Sequence, residues 1–410
     1  MSDKREDIHR QWNEVSRESA QLPPLDAELL KHSEQLQSRI REAIQQQGGV
    51  MSFAQFMQMA LYEPVLGYYT SVQRKLGKDG DFVTAPEISP LFGRCLAHFC
   101  QQASQGISAG SILEFGAGSG RMAADILLQL EAYNALPTSY LILELSAELR
   151  LRQQQTLQDK AAHLLDRVQW LQTLPEPGFR GIVLGNELLD AMPVHRFRVE
   201  SSGFKELGVA WSEAEQAFVQ QTMTASSELL NRLTSIERTL ENKFPVGYES
   251  EVSLAHPAWI KSVSDILDQG LVLLIDYGYG RPEYYLPQRH MGTLMCHYRH
   301  RAHDDPFQFI GLQDLTAYVD FTTIAEVAVE EGMQLLGYAT QCGFLLENGL
   351  EGMMPDPQAV SQQELLTFAQ QVKTLTLPSE MGERFKVMAL GKNIDVELPG
   401  FRLQDQIRRL

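Results

Sequence analysis

Apolar and polar positions follow two different periods along this chain, and the change of period divides it. Before residue 108 the spacing is helical. Phe53, Phe56, Met57, Ala60 and Leu61 recur at intervals of three and four, which is one face of a helix. Ser52 with Gln55 three residues on forms a capping box, and Pro64 ends the run. Residues 26–47 are Gln-rich, helix-compatible and closed by Gly48-Gly49, and a loop rich in Gly and Asp (77–81) leads to a further helix over 89–104. From residue 111 short apolar runs alternate with helical stretches. "SILEF" (111–115), "YLILEL" (140–145), "RVQWL" (167–171) and "GIVLGN" (181–186) predict strands, with helices over 120–132 and 147–158. This order predicts an α/β fold with a parallel, doubly wound sheet.

The order breaks at 195–255, where hairpin-like alternation (195–222) and a polar helix (about 225–243) predict an insertion. The sheet resumes with a helix near 257–268 and "LVLLIDYG" (271–278), and "GMQLLGYAT" and "FKVMALGK" supply late strands. The expected organisation is a tail and helix over 1–50 and a helical cap region over 51–108. A core in two parts (109–194 and 256–395) then flanks the insertion, and a C-terminal tail spans 396–410.

Composition narrows the function classes. The chain has 410 residues, 44% of them hydrophobic, enough for a large core. A formal net charge of -17 argues against sequence-independent binding to nucleic acid or anionic membrane. The cysteines Cys95, Cys100, Cys296 and Cys342 form no CxxC pair and read as reduced thiols. Residues 1–25 carry no apolar signal region, and no apolar stretch approaches membrane-spanning length. A cytoplasmic location without membrane insertion is the expectation.

Candidate chemistry gathers at strand ends. Gly116, Gly118 and Gly120 lie between the first strand and its helix, spaced GxGxG, with Arg121 where the dinucleotide pattern has its third glycine. Glu114 stands two residues before them, and an acid followed by GxGxG is the form associated with S-adenosylmethionine (SAM). SAM has no phosphate to cradle. It needs glycines that let the backbone pass close and an acid for its ammonium group. Glu144, at the end of the second strand, is placed to accept hydrogen bonds from ribose hydroxyls, as similar acids do in dinucleotide sites. An ordinary strand–helix turn is the bland alternative.

After the fourth strand come Asn186, Glu187 and Asp190. They lack the paired prolines often found there in enzymes that methylate nucleic-acid amines. Two carboxylates suit a cationic acceptor, and a guanidinium is always charged and forked. On a helix Glu187 and Asp190 would share a face. The same residues could merely cap that helix and stabilise its first turn. Asp276 and Tyr277 end the fifth strand on the ligand-facing edge. Asp320 either borders a substrate channel or caps the following helix. His290, His297, His300 and His303 fit no standard zinc spacing, so a basic loop with Arg299 and Arg301 is the preferred reading and no metal is expected.

The chain resembles the MidA-like SAM-dependent methyltransferases, whose mitochondrial members are complex I assembly factors that methylate a protein arginine. The stretches that carry the resemblance are "MALYEPVLGYY" (59–69), "GDFVTAPEISPLFG" (80–93), "LEFGAGSGRMAADIL" (113–127), "GNELLDAMPVHRF" (185–197), "LLIDYGY" (273–279) and "HRAHDDPF…VDFT" (300–322). The resemblance implies a Rossmann-like methyltransferase core with an added helical N-terminal domain and an α/β insertion. It also implies that Asp81 and Glu87 help to cover the cofactor or substrate site, and that a respiratory-complex subunit is a candidate partner. The expected activity is SAM-dependent methylation of a protein, with arginine as the favoured side chain. A SAM-binding assembly factor and a small-molecule methyltransferase are the alternatives.

Overall fold

The computed structural model describes residues 25–71, 84–107, 110–356, 358 and 360–410. The first part of the tail expected within 1–50, the Gly- and Asp-rich loop expected at 77–81 and the site role expected of Asp81 lie outside them. Seven strands build the main sheet: β1 Ser111–Phe115, β2 Tyr140–Leu143, β3 Val168–Leu171, β4 Phe179–Asn186, β5 Leu267–Tyr279, β6 Gln334–Thr340 and β7 Phe385–Lys392. Their spatial order is β3-β2-β1-β4-β5-β7-β6, parallel from β3 to β5, with β7 antiparallel to both neighbours. A short strand, Val319–Asp320, pairs beside the end of β5. The chain winds outward from β1 to β3 and returns to β4. The order therefore reverses between β1 and β4, which opens a crevice at their carboxyl ends.

The strand residues alternate between two cores. Ile112, Ile182, Leu184, Leu271 and Leu273 pack on one face, with the helices Pro90–Ser104, Arg121–Ala132 and Gln341–Glu347. Leu113, Val183, Val272 and Leu274 pack on the other, with Ala255–Ile266 and Phe321–Glu330. Burial on both faces explains why β4 and β5 read as continuous apolar runs rather than alternating ones.

The insertion makes a second, antiparallel sheet from His195–Glu200, Gly203–Ser212, Ala217–Met223 and Glu249–Val252, with Met51–Ser52 added at its edge. Its helix, Ser227–Thr239, buries Leu229, Leu233 and Ile236 against Phe197, Phe244 and Tyr248. The Ser52–Gln55 capping box starts the helix Phe53–Tyr62 as expected. That helix and Ala27–Gln46 share a third core with the insertion sheet and a small sheet of residues 295–298, 301–303 and 314–316. Residues 51–108 therefore divide between two cores, since Pro90–Ser104 packs on the main sheet. Among the described residues no helix is long and apolar enough to cross a membrane.

Candidate functional site

The glycine loop leaves β1 in left-handed backbone. Gly116, Gly118 and Gly120 have φ of 62, 53 and 82°, values that cost a residue with a Cβ about 1 kcal/mol or more. At Gly120 a Cβ would also come within 2.9 Å of the Gln153 Cα. Gln153 is fully buried in the helix Ala147–Ala161 and ties the loop to the end of β2. Its Nε2 donates to the Gly118 carbonyl at 3.1 Å and to Glu144 Oε2 at 3.0 Å, while Trp170 donates to its Oε1. Nothing in the sequence marked Gln153, because its partners come from three separate strand ends. Glu144, just past β2, also accepts from the Ser146 amide at 2.8 Å. Gly120→Ala is expected to weaken SAM binding at least ~10-fold and to destabilise the fold by ~1–3 kcal/mol, measurable by calorimetry and thermal melting.

Glu114 is buried in β1, with Tyr140 donating to its Oε2 at 2.6 Å and no partner for its Oε1. Burial, and secondarily the charge of Glu144, pushes its carboxyl up to about 7. A buried carboxylate oxygen without a partner is costly unless a ligand completes it. Beside a loop of left-handed glycines, it fits the ammonium group of SAM. Glu87 lies on the short helix Ala85–Ile88, where it accepts from Ser119 and pairs with Arg121 at 3.3 Å. It thereby clamps that segment onto the glycine loop.

The segment after β4 differs from the expected helix. Asn186 ends the strand and residues 187–194 form a turn, so neither a helix cap nor a shared helical face exists there. Glu187 has φ of 49°. The Asp276 Oδ2, from β5, accepts from three successive amides, Leu188 at 3.1 Å, Leu189 at 2.9 Å and Asp190 at 3.2 Å. A carboxylate that collects neighbouring N–H groups replaces the partners a helix would have supplied. Asp276 and Tyr277 thus support the turn, Tyr277 by donating its hydroxyl to Asp190 Oδ2.

The turn gathers acids. Burial, then the charges of Asp190 and Asp314, pushes the Glu187 carboxyl up to about 8. Burial also raises Asp190, to about 6, against the lowering hydrogen bond from Tyr277. The Asp190 Oδ1 and Asn186 Oδ1 atoms are buried without partners, while Asn186, Glu187 and Leu188 remain part-exposed. The arrangement is a cluster of acidic groups on a part-exposed turn, which a cation would stabilise. Asp314, Tyr62 and Tyr69 join it without having been singled out in the sequence. The two tyrosines do fall within the stretch 59–69, and Asp314 lies in the unquoted middle of the stretch 300–322.

Asp320 lies apart from these acids. It caps Phe321–Glu330 through the Thr322 and Thr323 amides and pairs with the buried Arg281 at 3.4 Å. His297 and His303 occupy neighbouring strands, and among the described residues no group of three His, Cys, Asp or Glu is placed to hold a metal ion. All four cysteines are free.

The chain is similar to known methyltransferases over most of its length. A family profile described as "Putative S-adenosyl-L-methionine-dependent methyltransferase" matches residues 91–339. The chain is 28% identical over 377 residues to the mitochondrial protein arginine methyltransferase NDUFAF7 of Danio rerio, covering 83% of each. It is 26% identical over 381 residues to the Drosophila melanogaster homologue, covering 83% of this chain and 82% of the relative. Among solved structures, a protein from Burkholderia thailandensis bound to S-adenosyl-homocysteine is 42% identical, with a TM-score of 0.89, covering 95% of this chain and all (100%) of that one.

Proposed function

As a member of the MidA-like family and itself a SAM-dependent methyltransferase, this chain has an acceptor that we propose is an arginine side chain of a protein. The observation that carries the proposal is the pair Glu187 and Asp190, brought together on one turn at the carboxyl end of β4, with a buried Asp190 oxygen lacking any partner. The curated relatives NDUFAF7 are named as protein arginine methyltransferases, which supports a protein acceptor. The resemblance to complex I assembly factors makes a respiratory-complex subunit the first acceptor to test.

Bound SAM supplies a methyl carbon activated by its sulfonium. Glu114 and Glu144 would hold the cofactor's charged and ribose ends against the glycine loop. The rest of the work belongs to the turn. Glu187 and Asp190 pair with the guanidinium and fix which nitrogen faces the cofactor, and Tyr277 holds the Asp190 carboxylate in orientation. A nitrogen that gains a methyl sheds a proton, and Glu187, with its raised pKa, is suited to accept it at its carboxylate.

The pH dependence follows. Burial pushes the Glu187 carboxyl up to about 8, and it binds a cation only when ionised. kcat/KM for an arginine peptide is therefore expected to rise as pH increases from 6.5 towards 9 (assay values of about this range, set by a group near 8). Glu187→Gln should flatten that rise. A profile that falls with pH would count against the role of Glu187.

A further inference from the structure

The turn at residues 62–69 follows an unusual backbone path, anchored by Leu66 and Tyr68 in the core beneath it. Val65 has φ of 70°, an outlying conformation for a β-branched residue. At Gly67 a Cβ would meet the Glu63 nitrogen at 2.5 Å. The chain doubles back on the helix Phe53–Tyr62, with the Tyr68 amide on the Ala60 carbonyl and the Tyr69 amide on that of Leu61. The outcome is that Tyr69 stacks on Tyr62, with ring centroids 5.5 Å apart and planes at 23°. Their hydroxyls then diverge. Tyr62 donates to the Ala191 carbonyl at 3.1 Å, next to Asp190 in the acidic turn. Tyr69 donates to both oxygens of Asp314 at 2.9 and 3.0 Å.

Asp314 is tied to the same turn by its own strand, since the Ala317 amide donates to the Asp190 carbonyl at 3.0 Å. Its charge is among those that raise Glu187 and Tyr62. Three carboxyl groups and a stacked aromatic pair thus converge on one part-exposed turn, where the Asp190 Oδ1 is a buried oxygen with no partner. Such surroundings differ in what they accept. An ammonium is a compact, strongly hydrated point charge, whereas a guanidinium is flat, delocalised, less hydrated and able to lie along aromatic faces while its fork meets carboxylates.

We propose that Asp314, held by Tyr69, and the stacked pair Tyr62–Tyr69 form the second wall of the acceptor pocket and select a guanidinium over an ammonium. The inference rests on the arginine reading and adds its specificity determinant.

The test is binding of N-acetyl-arginine amide and N-acetyl-lysine amide to the full chain loaded with S-adenosyl-homocysteine, followed by ligand-observed NMR. The parent should prefer the arginine probe at least ~10-fold. Asp314→Asn should weaken the arginine probe at least ~5-fold and bring the preference below ~3-fold. Tyr69→Phe, which deletes a single hydroxyl, should fall between, and both variants should keep S-adenosyl-homocysteine affinity. If Asp314→Asn loses that affinity, Tyr69→Phe alone decides. Unchanged affinity and preference in the deciding variant would overturn the wall assignment while leaving the arginine reading intact. A parent that binds neither probe would overturn the arginine reading and this inference with it.

Discussion

Replacing Glu187 and Asp190 together by alanine is expected to lower methyl transfer at least ~1,000-fold, while SAM binding stays within about threefold of the parent. The two effects separate because the acids stand on the turn after β4, whereas the cofactor contacts assigned above come from β1, the glycine loop and the end of β2. Removing one acid leaves its neighbour to hold the guanidinium in a single contact, so each single variant should lose less than the double one. Stability should change little, because relief of the burial that raises both pKa values is offset by loss of the acceptor for the Tyr277 hydroxyl. Filter assays with labelled SAM, paired with calorimetry, measure both quantities. A scaffold whose role is to hold a partner would keep that role in the double variant, and comparable loss of cofactor binding would move these acids into the cofactor site.

Asp276→Ala is the second large effect. It removes the acceptor of three consecutive amides, which are left in a buried place without partners. The expected cost is ~2–4 kcal/mol of stability, together with at least a ~100-fold fall in methyl transfer as Glu187 and Asp190 lose their fixed positions. Asp276→Asn keeps an oxygen in reach of those amides and should recover most of the stability. Because Asp276 acts through the turn, its loss should appear in both kcat and acceptor KM with SAM affinity little changed. An alanine variant with parental kcat would show that the turn holds its shape without this carboxylate.

The contrast between these two sites explains what could be read in the sequence. β1 was visible to the residue because its signals are local: an apolar run, then glycines, then a helical face. The positions of Glu114 in that strand and of the glycines after it were legible for the same reason. The stretch after β4 also carried local signals, an amide and acids that read as a helix start, and these misled. The deciding partner was Asp276, 86–88 residues further along the chain, and a carboxylate supplied from another strand outcompetes local helix propensity. Gln153, Asp314 and the stacking of Tyr62 on Tyr69 share that non-local character. The Tyr69–Asp314 contact spans 245 residues, and no spacing rule reaches so far.

The central claim is that the turn after β4 serves methylation of a protein arginine. Its most direct test is transfer from labelled SAM into the proteome of cells that lack this gene, followed by mass-spectrometric identification of the modified residue. The account predicts label on an arginine nitrogen of a small number of proteins, absent when Glu187 and Asp190 are both alanine. Label confined to metabolites, or carried on lysine or another side chain, would contradict it.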